Sequence, residues 1–238
     1  ELMDTMYKDR VKFKKYALES KKRYEETKDK KYLNEISKYN NIQMARKIAL
    51  NSAYGAIGNQ YFRYYDEKLA TAITTSGQLS IKWIEKKVNE YLNKILQTEN
   101  TDYIIASDTD SIYVSFNQLV SRSFGDRNGV SKEQIVNFLD KIAKEKIEPY
   151  ITKSYEELAS YIRAYAQRME MSREVIADKG IWTAKKRYIL NVHDSEGVRY
   201  AEPQLKIMGI EAIKSSTPAP CRDMIKSALF CIVNSDEQ

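Results

Sequence analysis

The run Tyr103-Ile104-Ile105-Ala106-Ser107-Asp108-Thr109-Asp110-Ser111-Ile112-Tyr113-Val114-Ser115 sets two carboxylates one residue apart between two apolar segments. Tyr, Ile and Val on either side favour extended backbone, so the polar Ser-Asp-Thr-Asp-Ser insert reads as the tight connection of a hairpin. A hairpin turn holds its acids at a rigid edge. Two such acids suit magnesium, which takes one or two protein carboxylates and completes its octahedron with water and substrate phosphate. An Asp-x-Asp turn also occurs in sugar-nucleotide transferases, and acidic turns arise simply from side-chain to backbone hydrogen bonds.

A second segment narrows the choice. In Arg46 to Asn59, Arg-Lys-Ile-Ala-Leu-Asn-Ser-Ala-Tyr-Gly-Ala-Ile-Gly-Asn, the residues Lys47, Asn51 and Tyr54 recur at i, i+4 and i+7. That is one face of a helix. A cation, an amide and a phenol therefore line up as a strip, which a sugar-nucleotide transferase does not explain.

Lys47-x-x-x-Asn51-Ser52-x-Tyr54-Gly55-x-x-Gly58 resembles motif B of family B DNA polymerases, and Asp108-Thr109-Asp110-Ser111 resembles their motif C. In the same order, Lys185-Lys186-Arg187-Tyr188 is similar to the family's Lys-Lys-Arg-Tyr motif. Leu205 to Gly209 with Ser215-Ser216-Thr217-Pro218 is similar to its passage from palm to thumb. Phe62-Arg63-Tyr64-Tyr65-Asp66 and Ala70-Thr71-Ala72-Ile73-Thr74 add a likeness to the T-even-like bacteriophage branch.

The resemblance implies an α+β chain. Residues 1–58 would be helical-hairpin fingers, 59–214 a palm of antiparallel sheet with packed helices, and 215–238 the start of a thumb. The implied reaction is template-directed transfer of a nucleotide from a dNTP to a primer 3′-hydroxyl, supported by two Mg2+ ions. By the same resemblance Asp110 bridges the metals, Asp108 stands beside it, and Glu174 of Ser172-Arg173-Glu174 is a further acidic position. Lys47 and Asn51 would contact the triphosphate, with Arg10 and Lys14 adding two contacts from the first helix. Tyr54 and Gly55 would floor the nascent base pair. Lys185, Lys186, Arg187, Tyr188 and Lys206 would hold the primer-template DNA. On an extended arm the side chains of Lys185, Lys186 and Arg187 would alternate sides.

Where the pattern departs from the family, the expectation changes. No motif A strand is found, so the reading is of a fragment or split-enzyme part, inactive alone, whose partner polypeptide carries motif A and a proofreading exonuclease. Glu1 stands in place of an initiator Met, the fingers are short, and a Gly- and Pro-rich insert is missing between Glu174 and Trp182. The alternative is a non-catalytic nucleic-acid-binding module that keeps the polymerase skeleton. It would bind DNA with a steep salt slope but without magnesium-dependent nucleotide binding.

Composition agrees with a polyanion partner. The net charge is +6, and residues 1–50 hold 14 Lys or Arg against 8 Asp or Glu, so they carry the whole excess. Charged residues make up 30% and hydrophobic residues 42%, the balance of a globular chain. Without a long apolar run or signal-peptide pattern the expected location is cytoplasmic. Cys221 and Cys231 read as free thiols, and His193 as a surface residue without a catalytic role.

The pattern predicts helices over 1–26, 32–57 and 67–96, and a helical region over 132–167 interrupted at Pro149. It predicts a surface loop over 121–129, strands over 174–177 and 181–192, and a turn at 194–197 followed by a return strand.

Overall fold

The structure is a computed structural model that describes residues 2–125 and 129–235. The chain is α+β, with two antiparallel sheets among long helices. It divides into two compact units, Glu1–Gln78 and Leu79–Gln238.

The first unit is built on α1 (Leu2–Thr27) and α2 (Lys31–Ile57), within a residue or so of the sequence expectation. Lys28 turns the chain in the left-handed region at φ 55°, and the Asp29 carboxylate accepts the Lys31 N–H at 3.0 Å. Ser20 donates to Glu35, and Phe13 and Tyr16 lie against Tyr39, so contacts run in opposite order along the two helices. The helices are antiparallel. The boundary between the units falls inside α3 (Glu67–Leu96).

In the second unit Ile84, Val88, Leu92 and Leu96 recur every fourth residue along α3, and each is at most 2% exposed. They pack against Ile151, Tyr155 and Leu158 of the helix Glu148–Tyr161, and against Tyr103 at the approach to the first strand. Leu69, Ile73 and Ile95, also apolar residues of α3, are exposed. The acidic hairpin, β1 (Ile104–Asp108) and β2 (Ser111–Val114), packs Ile104, Ile112 and Val114 against this core. Asn89 and Asn93 of α3 pin its entry by accepting the N–H groups of Tyr103 at 2.8 Å and Thr101 at 3.0 Å.

Three expectations are corrected. Ser121 to Phe124 is not a loop but the end of α4 (Asn117–Phe124), while residues 126–128 of that expected loop lie outside the described residues. The helical region breaks before Pro149 rather than at it. Helix α5 (Lys132–Ile142) passes through a π-turn, Ala143–Ile147, into α6 (Glu148–Tyr161), with Pro149 in the first turn of α6. Proline lacks the N–H of a regular helix and crowds the carbonyl four residues back, and the wider turn accommodates both defects. Helix α6 stops at Tyr161, and the left-handed Arg163, φ 52°, helps close it; 162–167 are not helical.

The third correction concerns the larger sheet. The expected strand over 181–192 is the end of β3 (Val175–Ala184), a two-residue turn, and the start of β4 (Arg187–Ser195). Its apolar flanks read as one run, but Lys186 adopts φ 62°, which ends extended structure there. The next turn, Glu196-Gly197, has φ 52° and 81°, the mirror-image form whose twist suits a hairpin, and it leads into β5 (Val198–Met208). The order is β3-β4-β5, with β4 buried in the middle. Ile189 packs with Ile210, Ala212 and Val233, the last on α7 (Ala219–Asn234). Tyr188, Leu190 and Val192 pack with Tyr113 of β2, so the acidic hairpin and the larger sheet share one interface.

Candidate metal-binding turn and nucleic-acid interface

Asp108 closes β1, Ser111 opens β2, and these two residues pair across the ladder. The turn is therefore only Thr109-Asp110, narrower than the five residues the sequence implied. Thr109 takes φ 55°, and the Asp110 N–H donates to the Asp108 carbonyl at 2.6 Å. Ser111 Oγ donates to the same carbonyl at 3.2 Å, and Thr109 Oγ1 donates to the Asp108 carboxylate at 3.0 Å. The backbone that carries both acids is thus fixed by its own short-range bonds.

The two carboxylates differ. Asp108 lies 3.4 Å from the Lys186 ammonium. Asp110 is exposed, and among the described residues its carboxylate makes no hydrogen bond or ion pair. Its charge is felt by Tyr155, whose phenol is pushed up first by burial and then by Asp110. An unengaged carboxylate on a stiff turn is a suitable ligand for a hard cation.

Glu174 does not join this pair: its carboxylate lies 3.0 Å from the Lys206 ammonium, and no group of three or more His, Cys, Asp or Glu able to hold a metal occurs among the described residues. The donor set is one free and one lysine-bound carboxylate. That fits magnesium, which needs few protein oxygens, with the rest of its shell left to water and phosphate.

Opposite Asp108 stands the β3–β4 turn, across a groove of about 340 Å³ floored by Tyr113, Trp182 and Tyr188. Burial, then the hydrogen bond with Tyr188, pushes the Tyr113 phenol far up, so it stays a neutral wall. Lys185 and Lys186 do not alternate along an extended arm as expected, because both sit exposed at the tip of this turn. Lys185 makes no ion pair among the described residues.

The other residues of this set are engaged. Tyr188 is 6% exposed and belongs to the core. Arg187 Nη2 lies 2.7 Å from both oxygens of Glu211, which Lys214 also contacts at 2.9 Å. The Lys214 hydrogen bond, Glu211's own N–H and the Arg187 charge bring the Glu211 carboxyl down to about 2. A depressed carboxyl contributes above its unfolded value of about 4.3 and loses that contribution as pH falls through the folded one. The Glu211 carboxyl resonance is accordingly expected to titrate near 2 and to release Arg187 between about pH 4 and 2. A midpoint near 4.3 in a carbon-detected NMR titration would mean that Lys214 and Arg187 together do not hold the carboxylate.

In the first unit Lys47, Asn51, Tyr54 and Gly55 form an exposed strip along α2, with Tyr54 at 41%. A side chain added at Gly55 would meet nothing within 4 Å, so the fold itself does not require glycine there. Arg10 and Lys14 of α1 are half-buried, and Arg10 Nε is buried without an acceptor. These six residues belong to one unit, and Asp108, Asp110, Glu174, Lys185 to Tyr188 and Lys206 belong to the other.

Sequence reasoning missed two charged networks. His193 is not a surface residue. Its side chain is 12% exposed, with Nε2 3.1 Å from Asp178, whose carboxyl burial raises but whose bonds to Lys132, His193 and Asn191 lower on balance. Asp194, fully buried, meets both Arg173 and Arg199. The only sequence signal was an Asp in a turn-forming stretch, and that reads as solvated.

The family model for DNA polymerase family B matches residues 12–238. The chain is 47% identical over 203 residues to a DNA-directed DNA polymerase of Escherichia phage RB69, covering 82% of this chain and 22% of that protein. It is 45% identical over 209 residues to the DNA-directed DNA polymerase of Enterobacteria phage T4, covering 84% and 23%. The chain thus spans less than a quarter of the length of these relatives. No helix among the described residues is long and apolar enough to cross a membrane.

Proposed function

Because the chain belongs to DNA polymerase family B, we propose that it provides the fingers, the C-terminal part of the palm and the start of the thumb of a phage-type DNA-directed DNA polymerase. The observation that carries this is the unengaged Asp110 carboxylate on a two-residue hairpin turn whose other acid, Asp108, lines a lysine-tipped groove. Fingers correspond to 1–58, palm to 59–214 and thumb to 215–238.

In this scheme Asp110 would hold the metal. Asp108 sets the charge beside it and is itself held by Lys186. Magnesium, when bound, supplies Lewis acidity at the transferring phosphate and favours the ionised primer hydroxyl. Lys47 and Asn51 bind the dNTP triphosphate, where fixed cations stabilise charge as it builds, and Arg10 and Lys14 assist. Tyr54 and Gly55 support the base pair. Lys185 and Lys186 contact DNA phosphates and set register without reading sequence. Arg187 braces the turn through Glu211, Tyr188 through the core, and Lys206 is available once Glu174 releases it.

Two acids at the turn are few for holding two ions, so this chain alone is expected to bind primer-template but not to extend it. The second reading is a DNA-binding module without catalysis, in which Lys185 and Lys186 hold DNA and the turn binds no metal. Nucleotide binding separates the two. Lys47→Ala is expected to weaken magnesium-dependent dNTP binding by about tenfold to a hundredfold and to leave duplex affinity within about twofold, consistent with removing one charge-assisted contact. Fluorescence titration with a labelled primer-template, with and without dNTP, measures both. Absence of any magnesium-dependent nucleotide binding sinks the polymerase reading in favour of the module.

A further inference from the structure

Tyr155 of α6 belongs to the buried cluster that backs the acidic hairpin and is 4% exposed. A buried phenol ordinarily finds a hydrogen-bond partner. Tyr103 of the same cluster shares a hydrogen bond with Thr98 at 2.7 Å and donates to Gln118 at 2.9 Å, whereas the Tyr155 hydroxyl makes no hydrogen bond among the described residues. Asp110 is the matching acceptor. Ile112 and Val114 of β2 rest against the cluster, and the two-residue period that turns them inward runs back to Asp110 at its rim. Burial, and then the Asp110 charge, pushes the Tyr155 phenol up, so at neutral pH it is a donor. We propose, resting on the polymerase reading above, that Tyr155 is a positioning residue for Asp110: its hydroxyl donates to the carboxylate and holds it in the orientation that a metal ion requires.

A purely structural role explains the ring but not the hydroxyl. Packing is served as well by phenylalanine, and a polar atom kept against an apolar core costs free energy unless it is bonded. Asp110, for its part, sits in a two-residue turn whose bonds fix its backbone and leave its side chain unheld. A carboxylate loses rotamer freedom when it takes a metal, and a donor on a rigid support reduces that loss by holding it beforehand. The support is rigid here. Trp83 Nε1 of α3 donates to the Ser154 carbonyl at 2.9 Å, and the Ser154 hydroxyl donates to the Tyr150 carbonyl at 2.8 Å. Tyr155 therefore follows directly on a residue tied to the neighbouring helix. Asp108 is held differently, by the Lys186 ammonium and the Thr109 hydroxyl. Each acid of the turn then has its own orienting partner.

The test is Mn2+ binding by the whole chain, read from the electron paramagnetic resonance of the free ion, since manganese takes the same carboxylate and water oxygens as magnesium. The variants are Tyr155→Phe, which deletes only the hydroxyl, Asp110→Asn, and the two combined. Tyr155→Phe is expected to weaken Mn2+ binding by about tenfold, the usual cost of removing the partner of a metal ligand, with the urea midpoint unchanged. In the Asp110→Asn background the same change is expected to have no further effect, because the hydroxyl acts through that carboxylate. Affinity of Tyr155→Phe that is tighter, or within about twofold of the unsubstituted chain, overturns the inference and leaves the Asp110 assignment intact. A lowered urea midpoint beside that result assigns the hydroxyl to stability alone. A loss that persists in full beside Asp110→Asn overturns the inference in favour of an effect at another site. Mn2+ binding that Asp110→Asn leaves unchanged overturns both the inference and the metal role of Asp110.

Discussion

Under the proposed function, Asp110→Ala is expected to lower primer extension by about a thousandfold or more in an enzyme that includes this chain, and Asp108→Ala to lower it much less. Removing a group aimed at developing charge costs of this order. The asymmetry comes from the turn. Asp110 is exposed and its carboxylate unengaged, whereas the Asp108 carboxylate already neutralises Lys186 at 3.4 Å. Asp110→Ala also leaves the hairpin intact, because the bonds that set the turn come from its backbone N–H, from Ser111 and from Thr109. Duplex binding should therefore survive, which separates a lost ligand from a lost fold. Single-turnover extension on a primer-template, over a magnesium titration, provides the measurement. Equal losses at the two positions would mean that Asp108 and Asp110 ligate as equals and that the Lys186 pair breaks on metal binding. Near-normal extension by Asp110→Ala would remove the turn from the catalytic assignment altogether.

How far the sequence led depends on how local each signal is. The α1–α2 pair and α3 were legible because helical spacing, a polar break at 27–30 and a glycine stop act within a few residues. The acidic hairpin was legible for the same reason. The π-turn before Pro149 was only half legible: proline announced an irregularity, but its position was decided by how the helix relieved the missing N–H. The turn at Lys185-Lys186 was not legible. Neither residue is a turn former, and the left-handed Lys186 brings its carbonyl close against Gly209, more than 20 residues on. A Cβ at Gly209 would lie 2.2 Å from that carbonyl, so the glycine marks the place where β5 ends against the turn. Family likeness assigned Lys185 to Tyr188 to DNA as a block. Folding separates them into two exposed lysines, an arginine forked to Glu211 and a core tyrosine. Such division follows from long-range pairing, which no short window contains.

Asp194→Ala carries the largest expected loss of stability, about 3–5 kcal/mol, because it removes a buried partner from the interior Arg173 and a contact from the partly exposed Arg199. Asp194 is 0% exposed, and Arg173 beside it is 9% exposed. One Asp194 oxygen accepts from Arg173 and from the Gly197 N–H at 2.9 Å, which fastens the Glu196-Gly197 turn. The other lies 2.8 Å from Arg199 Nε, a charge contact without hydrogen-bond alignment. Arg173 also reaches Asp140 of α5, and its N–H donates to Glu148 of α6 at 2.7 Å. One acid thus ties the sheet to the helices that back the acidic hairpin. Burial pushes the Asp140 carboxyl up, but hydrogen bonds from Lys144 and Arg173 and their charges outweigh it and hold it below the usual range. By linkage its contribution is present above the unfolded carboxyl value and is lost as pH falls through the lower folded one, so the network loosens in acid. Loss of 3–5 kcal/mol would consume a large part of a typical domain's stability of about 5–15 kcal/mol. Replacing Arg173, Asp194 and Arg199 together by apolar residues of similar volume is expected to cost less than Asp194→Ala alone, since no charge is left unpaired. Urea unfolding followed by circular dichroism compares the two. A loss below about 1 kcal/mol for Asp194→Ala would mean that water reaches both arginines and that the network is a surface pairing of ordinary weight.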